Sequence, residues 1–522
     1  MASDEVSLRR EIAKAARIAE SDINDFRIIR KSVDARKRPV MFNIKARIAV
    51  GEDQSVSVEK EFPGLTLVPD DAPSVIIVGA GPAGLFAAVE SIKLGIRPVV
   101  IERGLDVDSR RKDIADMTRR KVINPVSNYC FGEGGAGAFS DGKLYTRSKK
   151  RGSVEDVLKI LVSYGASPDI LIESHPHIGS DRLPKIIKSI RESIIENGGE
   201  VHFNALVTGL LIMDGKVIGV VTDKGNFKGD AVILATGHSA HDTFRALYTQ
   251  GVDMTAKGIA IGVRLEHPQH LIDTIQYHDK SGRGEYLPAA EYSFVTQVDS
   301  RGVYSFCMCP GGVVVPAASG AEELVVNGMS ASARSGKWAN SGMVVEIQPG
   351  DFPEFSQHGP LEMLELQESL ERNMFRKAGN SIVAPAQRML DFVRKKKSVT
   401  LPPTSYAPGI SPGDFNELLP DFIASRLRKG FEEFGRKAPG FLTNDAILLG
   451  LESRTSSPLR IVRDDQSLQS ISLAGLFPAG EGAGYAGGIV SAAVDGVRCA
   501  EKASEYIKSS KEHVATNIKN IS

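Results

Sequence analysis

SVIIVGAGPAGLFAAVESIKLG, residues 74–95, is the stretch whose reading decides the fold. Val75 to Val78 form an unbroken aliphatic run, the pattern of a strand buried on both faces within a parallel sheet. Three glycines follow, at 79, 81 and 84, just before a helical pattern that opens on Pro82 and Ala83. Each glycine answers a geometric need. Gly79 permits a tight turn, Gly81 lets the main chain approach a pyrophosphate, and Gly84 lets helix and strand come close together. Pro82 suits a first helical turn, which requires no amide donor there. A phosphate at this turn meets free amides and the positive end of the helix dipole.

Working outward, RPVVIERG (97–104) supplies the second strand, with Glu102 at its end and Arg103 beside it. Glu102 stands 18 residues after Gly84, where a carboxylate is placed to accept the ribose hydroxyls of an adenosine half. Strand, glycine turn, helix and strand in this order predict an α/β fold with a doubly wound parallel sheet of Rossmann type. This much suits either NAD or FAD.

Three later segments favour FAD. The loop FGEGGAGAFSDGKL (131–144) carries Gly134 and Gly135, whose amides suit a second nest for the phosphates. The strand DAVILATG (230–237) ends in Ala235, Thr236 and Gly237, small residues beside which a nucleotide can pass, and Ala205 is placed with them. GLFPAGEGAGYAGGIVSAAVDGVRCAEKA (475–503) repeats the logic of strand, glycine turn and helix: Gly480 and Glu481 follow the strand, and Gly487 and Gly488 lead into a helix at Ile489. A carboxylate at 481 suits ribityl hydroxyls. The helix start suits the ring edge that becomes negative when a flavin is reduced. An enzyme using NAD alone has no need of this second glycine-lined helix start.

The ordered set VGAGPAGL, IERG, FGEGGAGAFSDGKLYTR, ATGHSAHDT, FCMCPGG and PAGEGAGYAGGI resembles the bacterial family of uncharacterised FAD-dependent dehydrogenases. More distantly it is similar to flavoproteins of the glutathione-reductase fold group. The resemblance spans nearly the whole chain and implies a Rossmann-like FAD domain, an inserted α+β domain over the flavin, and a small N-terminal domain. It also implies that Gly79, Gly81, Gly84 and Glu102 hold the ADP half, Gly134 and Gly135 the phosphates, and Glu481, Gly487 and Gly488 the flavin half. Ala138 departs from the family pattern, which has a hydroxyl residue there.

The expected division is a small α+β unit at 1–70, the FAD-binding domain at 71–254 and again at 441–522, and an inserted substrate or cap domain at 255–440. Asp214-Gly215 marks a hairpin between two strands of the first half. No second nucleotide fingerprint occurs, so a dedicated NAD(P)H domain is not expected. NAD(P)H as reductant through a shared cleft stays open, as does a protein electron partner.

Composition is that of a soluble globular protein: 522 residues, 42% hydrophobic, with 64 basic residues against 64 acidic ones. Balanced charge offers no field for nucleic acid or an anionic membrane. No signal peptide and no apolar run of spanning length is evident, and four cysteines (130, 307, 309, 499) are too few for a disulfide framework, so the cytoplasm is the expected compartment. No metal-ligand spacing is present.

Residues that carry the reaction are harder to read. Cys307 and Cys309 in YSFCMCPGG are separated by a single residue, a spacing that argues against a redox disulfide and for buried or substrate-lining thiols. In LESRTSSPLR (451–460), Arg454 and Ser456 are candidates for holding an anionic substrate, against simple ion pairing. His175, His177 and His267 are candidate proton donors, though a lone histidine is more often just hydrogen-bonded. The reading is an FAD-dependent oxidoreductase of a small molecule. The alternatives are a flavin-binding module that carries electrons or senses redox state, and a flavin-free NAD-dependent dehydrogenase.

Overall fold

The computed structural model describes residues 4–51, 53, 55–56, 62–146 and 152–521, with side chains to residue 512. A helix at Glu5–Ala16 precedes a hairpin of β1 (Ile23–Asp34) and β2 (Met41–Val50). Asp4 caps that helix, accepting the Ser7 amide at 3.1 Å.

The chain then enters β3 (Ser74–Val78), the helix Pro82–Lys93, and β4 (Arg97–Ile101), as the aliphatic runs and glycines dictate. Two amphipathic helices, Val154–Ser163 and Leu183–Glu196, lead to β5 (Glu200–His202). An antiparallel meander follows: β6 (Val207–Met213), β7 (Lys216–Thr222) and β8 (Gly225–Lys228). Its first turn is the expected one, with Asp214 and Gly215 both at positive φ, 50° and 74°. β9 (Ala231–Leu234) then returns to the parallel sheet.

After β10 (Met254–Ala256) comes the larger sheet: β11 (Ile259–Pro268), β12 (Val295–Val298), β13 (Arg301–Pro316), β14 (Val326–Met329), β15 (Trp338–Ile347), β16 (Ala384–Arg388), β17 (Ile410–Pro412) and β18 (Ile447–Glu452). The order is β12-β13-β15-β11-β18-β16-β17, with β14 on β13. β18, apolar up to Leu451 and ending in Glu452, pairs with β11 and β16, so residues 447–452 lie in this sheet and not in the parallel one. β19 (Leu459–Ile461) pairs with β10. β20 (Leu476–Pro478) rejoins the parallel sheet, whose order is β20-β9-β3-β4-β5, and the helix Ile489–Ile521 ends the chain.

One face of the parallel sheet is covered by helices. Val75, Ile77, Val100, Ile233 and Phe477 pack there with Ala87, Ile190, Ile194, Ala493 and Ala500. The other face corrects the doubly wound expectation. Ile76, Val78, Val99, Ile101 and Val232 pack on Leu210, Val217 and Val220 of the meander, with Phe244 and Leu247 of the helix His241–Thr249. The aliphatic strands need burial on both faces, and an antiparallel sheet supplies it as well as helices do. Among the described residues no helix is long and apolar enough to cross a membrane.

Candidate functional site

At the carboxyl edge of the parallel strands lies a cavity of 370 Å³. This is the edge where ligands of open α/β sheets bind. The larger sheet roofs it through Phe306 and Cys307 of β13, Asn327 of β14 and Arg454 just beyond β18.

Most residues singled out in the sequence meet in this one cavity. Gly79, Gly81, Pro82, Ala83, Glu102, Arg103, Gly135, Ala205, Ala235, Thr236, Gly237, Glu481, Gly487, Gly488 and Ile489 all line it. The two glycine-lined helix starts, at Pro82 and Ile489, therefore open on the same space. Gly84, Gly134 and Gly480 sit behind the wall. A Cβ on Gly84 would stand 1.8 Å from the Gly79 carbonyl oxygen, so its role is the close packing of helix on turn. Gly79 itself adopts φ 105°, a conformation few side chains tolerate.

Glu102 clasps the wall together. Its carboxylate accepts the amides of Ala80 at 2.8 Å, Gly104 at 2.9 Å and Gly132 at 3.1 Å. A carboxylate has about four acceptor positions, which leaves room for one further donor where the sequence suggested a pair of hydroxyls. Arg103 makes a two-pronged pair with Asp242 (3.0 and 2.8 Å) and lies 4.0 Å over the Phe131 ring. Its charge is spent on the wall.

The glycine loop after residue 127 owes its shape to Arg110, which no sequence motif marks. Arg110, fully buried, donates to the carbonyls of Asn128 (2.7 Å), Tyr129 (3.0 Å), Gly132 (3.3 Å) and Glu133 (2.8 Å). Burial lowers its pKa to about 10, still protonated at neutral pH. Glu133 accepts the Val107 amide at 2.8 Å, and burial pushes its carboxyl up to about 7.

At the second helix start, Gly487 and Gly488 have open space where a Cβ would stand. Glu481 faces the cavity without a hydrogen bond to its carboxyl among the described residues; burial pushes it up to about 7 despite Lys257 nearby. Lys257 donates to Ser456 Oγ at 3.2 Å, and that is where Ser456 is engaged, off the cavity.

The roof is built from charged side chains. Arg454 donates to Glu371 (3.1 and 2.8 Å), Glu323 (2.7 Å) and Ser319 (2.6 Å). Two carboxylates against one guanidinium leave it no charge for a substrate anion. Asp141 and Lys143, from the glycine loop, also line the cavity. Asp141 pairs with Lys143 at 3.0 Å and with Arg334 (3.1 Å through Nε), and although burial alone would raise its pKa, those cations hold its carboxyl below the usual range. Arg264, fully buried on β11, contacts Glu452 Oε1 at 3.3 Å and donates to the Cys307 carbonyl at 2.8 Å. His238, lining the cavity, is pulled down to about 3 by burial and by Arg454, so it is neutral at working pH.

Cys307 lines the cavity and Cys309 is buried; both are free thiols. The histidines named from sequence lie elsewhere: His175 pairs with Glu291, His177 bonds the Ser332 carbonyl, and His267 is buried against the Phe441 carbonyl.

A parallel sheet with two glycine-lined helix starts on one cavity, rich in main-chain edges and poor in free charge, defines a dinucleotide-binding protein. Residues 258–455 match the family described as FAD-dependent protein, C-terminal domain-like, and residues 1–49 match a domain of unknown function, DUF8436. An uncharacterized protein of Clostridium beijerinckii is 42% identical over 511 residues, 95% of each chain. The chain belongs to the same family as that protein, a family of FAD-dependent proteins, and FAD is its cofactor. A subunit of the fumarate reductase (CoM/CoB) of Methanothermobacter marburgensis is 25% identical over 194 residues, 32% of this chain and 35% of that one. The crystal structure of CtdE in complex with FAD aligns over 86% of this chain and 91% of that chain at 12% identity, with a TM-score of 0.32.

Proposed function

We propose that this chain is an FAD-dependent oxidoreductase whose cofactor lies along the cavity from the Pro82 helix start to the Ile489 helix start. The observation that carries the reading is the convergence of both helix starts on one space of the right chemistry. In this arrangement the amides of the first turn beyond Pro82 hold the pyrophosphate, Gly81 and Gly135 give it room, and Glu102 offers its remaining lone pair to the adenosine ribose. Glu481 faces the ribityl hydroxyls. The Ile489 helix start, with its positive dipole end, faces the ring edge that gains charge on reduction.

Bound there, FAD supplies a site for hydride or electron transfer. The protein orients a small molecule beneath Phe306, Cys307 and Asn327, and the roof excludes water from it. Neutral His238 contributes no charge. The Methanothermobacter relative belongs to a fumarate reductase by name, but its likeness covers a third of this chain, and Arg454 is already neutralised. A dicarboxylate substrate is therefore not part of this proposal. NAD(P)H enters as a candidate reductant through the same cavity.

The test is anaerobic titration of the purified yellow protein with NADH, NADPH and a panel of organic substrates, following the flavin absorbance. Bleaching by at least one is expected. A flavin that no compound in the panel reduces would favour the redox-sensing or electron-carrying alternative instead. Gly81→Val is expected to yield colourless protein with an unchanged circular dichroism spectrum; full flavin content in that variant would remove the assigned phosphate site.

A further inference from the structure

We propose that Cys307 is a nucleophile of the cavity, a further catalytic residue that meets small soft electrophiles such as an electron-poor double bond conjugated to a carbonyl. The inference rests on the reading that this cavity is the FAD and substrate site, and it names a substrate class for it.

Four observations converge on Cys307. First, it lines the cavity from the roof, opposite the cofactor wall. Second, the pairing of β13 with β15 slips between Phe306 and Cys309, and Cys307 sits in the slip at φ 46°. A bulge re-aims a side chain, and left-handed backbone at a residue other than glycine costs energy that the surrounding fold must sustain. Third, the groups around the thiol are arranged for a negative charge. On its own strand, Cys309 donates its S–H to the Cys307 carbonyl at 3.4 Å. From the glycine loop, Lys143 reaches the neighbouring Met308 carbonyl, with Asp141 behind it shared between Lys143 and Arg334. From β11 comes Arg264, with Glu452 of β18 against it. Fourth, Glu481, whose carboxyl has no hydrogen bond among the described residues, lines the same cavity, a second polar group there besides the cysteine.

The two thiols are thereby driven apart. The adjacent Cys309 side chain, with Lys143 and Arg264 close by, pulls Cys307 well below the ordinary thiol range, against burial and the opposing charge of Asp141. The Cys307 side chain, with burial, pushes Cys309 up. Of the two, Cys307 is the more acidic thiol, so a one-residue spacing unsuited to a disulfide still serves a purpose. In the reaction, the Cys307 sulfur forms a bond to the terminal carbon of the activated alkene, and the π pair moves onto the conjugated carbonyl oxygen. Water supplies the proton that completes the adduct, and the step involves no net oxidation or reduction.

The test uses the purified FAD-loaded protein and iodoacetamide, in which an S–C bond forms and iodide leaves. Alkylation at each cysteine is followed by peptide mass spectrometry at pH 6 and pH 8. An ordinary thiol reacts about 80-fold faster at the higher pH, because its thiolate fraction rises by that factor. Cys307 is expected to react at nearly equal rates at both, a change of less than about threefold, and Cys309 not at all within that time. The ratio reads ionisation whatever the accessibility. Lys143→Met is expected to make the pH dependence steeper than in the unaltered protein and Lys143→Arg to keep it flat, while Asp141 retains Arg334 in both. A steep dependence at Cys307 in the unaltered protein, or no alkylation of Cys307 with or without FAD, overturns the proposal. Flavin absorbance and its bleaching are recorded first on the same sample, so failure of the FAD reading is scored separately from failure of the thiol.

Discussion

The two walls of the cavity are made of different materials. The floor, from Gly79 to Ala83 and from Gly487 to Ala492, is mostly main chain and small side chains; Glu102, the carboxylate beside its first turn, is spent on three amides. The roof and its margins are charged: Arg454 with Glu371 and Glu323, Arg264 with Glu452, and Asp141 between Lys143 and Arg334. A dinucleotide needs shape and amide donors, which backbone supplies at little cost in desolvation. A reacting molecule needs specific charge, and buried charge persists only when each ion is answered by another. The floor therefore tolerates little change in volume, and the roof little change in charge.

That contrast can be broken most forcefully at Arg454. Arg454→Met fits the space but leaves Glu371, fully buried, without its cation, at an expected cost of about 3–5 kcal/mol. Thermal or urea unfolding measures it; a loss under about 1 kcal/mol would mean the roof charges are not interdependent.

On the floor, Gly84→Ala places a methyl group against the Gly79 carbonyl oxygen and is expected to cost roughly 1–3 kcal/mol as the helix Pro82–Lys93 is pushed off its turn. Flavin content should fall with it, because turn and helix shift together.

Glu133 sharpens the comparison at the floor's margin, where a single carboxyl is buried near Arg191. Its pKa is raised in the fold to about 7, so its neutral form is the favoured one there. That contribution to stability is complete below the unfolded value of about 4.3 and is lost as pH rises through about 7. Glu133→Gln cannot ionise, so between pH 5 and 7.5 its melting temperature should fall less steeply with pH than that of the unaltered chain. Parallel curves would show that Glu133 ionises freely.

The smallest effect on stability is expected at Gly487→Ala, where open space awaits a Cβ. The cofactor-free protein should unfold within about 0.5 kcal/mol of the unaltered chain. On the proposed placement of FAD its affinity should nevertheless drop, because the methyl group would occupy cofactor space. A drop in stability with affinity intact would show that this turn serves packing, as Gly84 does.

Much of the floor was legible from residue order. The strand Ser74–Val78, the turn at Gly79, the helix opening on Pro82 and the second helix start at Ile489 stand where periodicity and glycine placement put them. The sequence reading overestimated Glu102, whose oxygens serve amides from three separate segments. It also placed Gly134 and Gly480 at the cofactor, whereas they pack behind the wall. The roof was nearly illegible. Cys307 and Arg454 stand out in the sequence, but the state of each depends on partners far away in the chain: Lys143 for the thiol, Glu371 and Glu323 for the guanidinium. Arg264 carried one signal in its favour, a charged residue inside the apolar run of β11, which is an unusual place unless a partner is buried beside it.

The sequence by itself determined the glycine turns of the cavity floor, because the demands of such a turn fall on consecutive residues: a φ only glycine accepts, an aliphatic strand before it and a helix after it. Tertiary structure alone decided what covers the second face of the parallel sheet, and it alone set the charge of the roof. Asp141 meets Arg334 across 193 residues and Arg264 meets Glu452 across 188. No local pattern encodes such meetings, because strand pairing in the larger sheet and the packing of the glycine loop beneath it bring those groups within range, and only at that range does burial turn them into fixed ions or shifted acids.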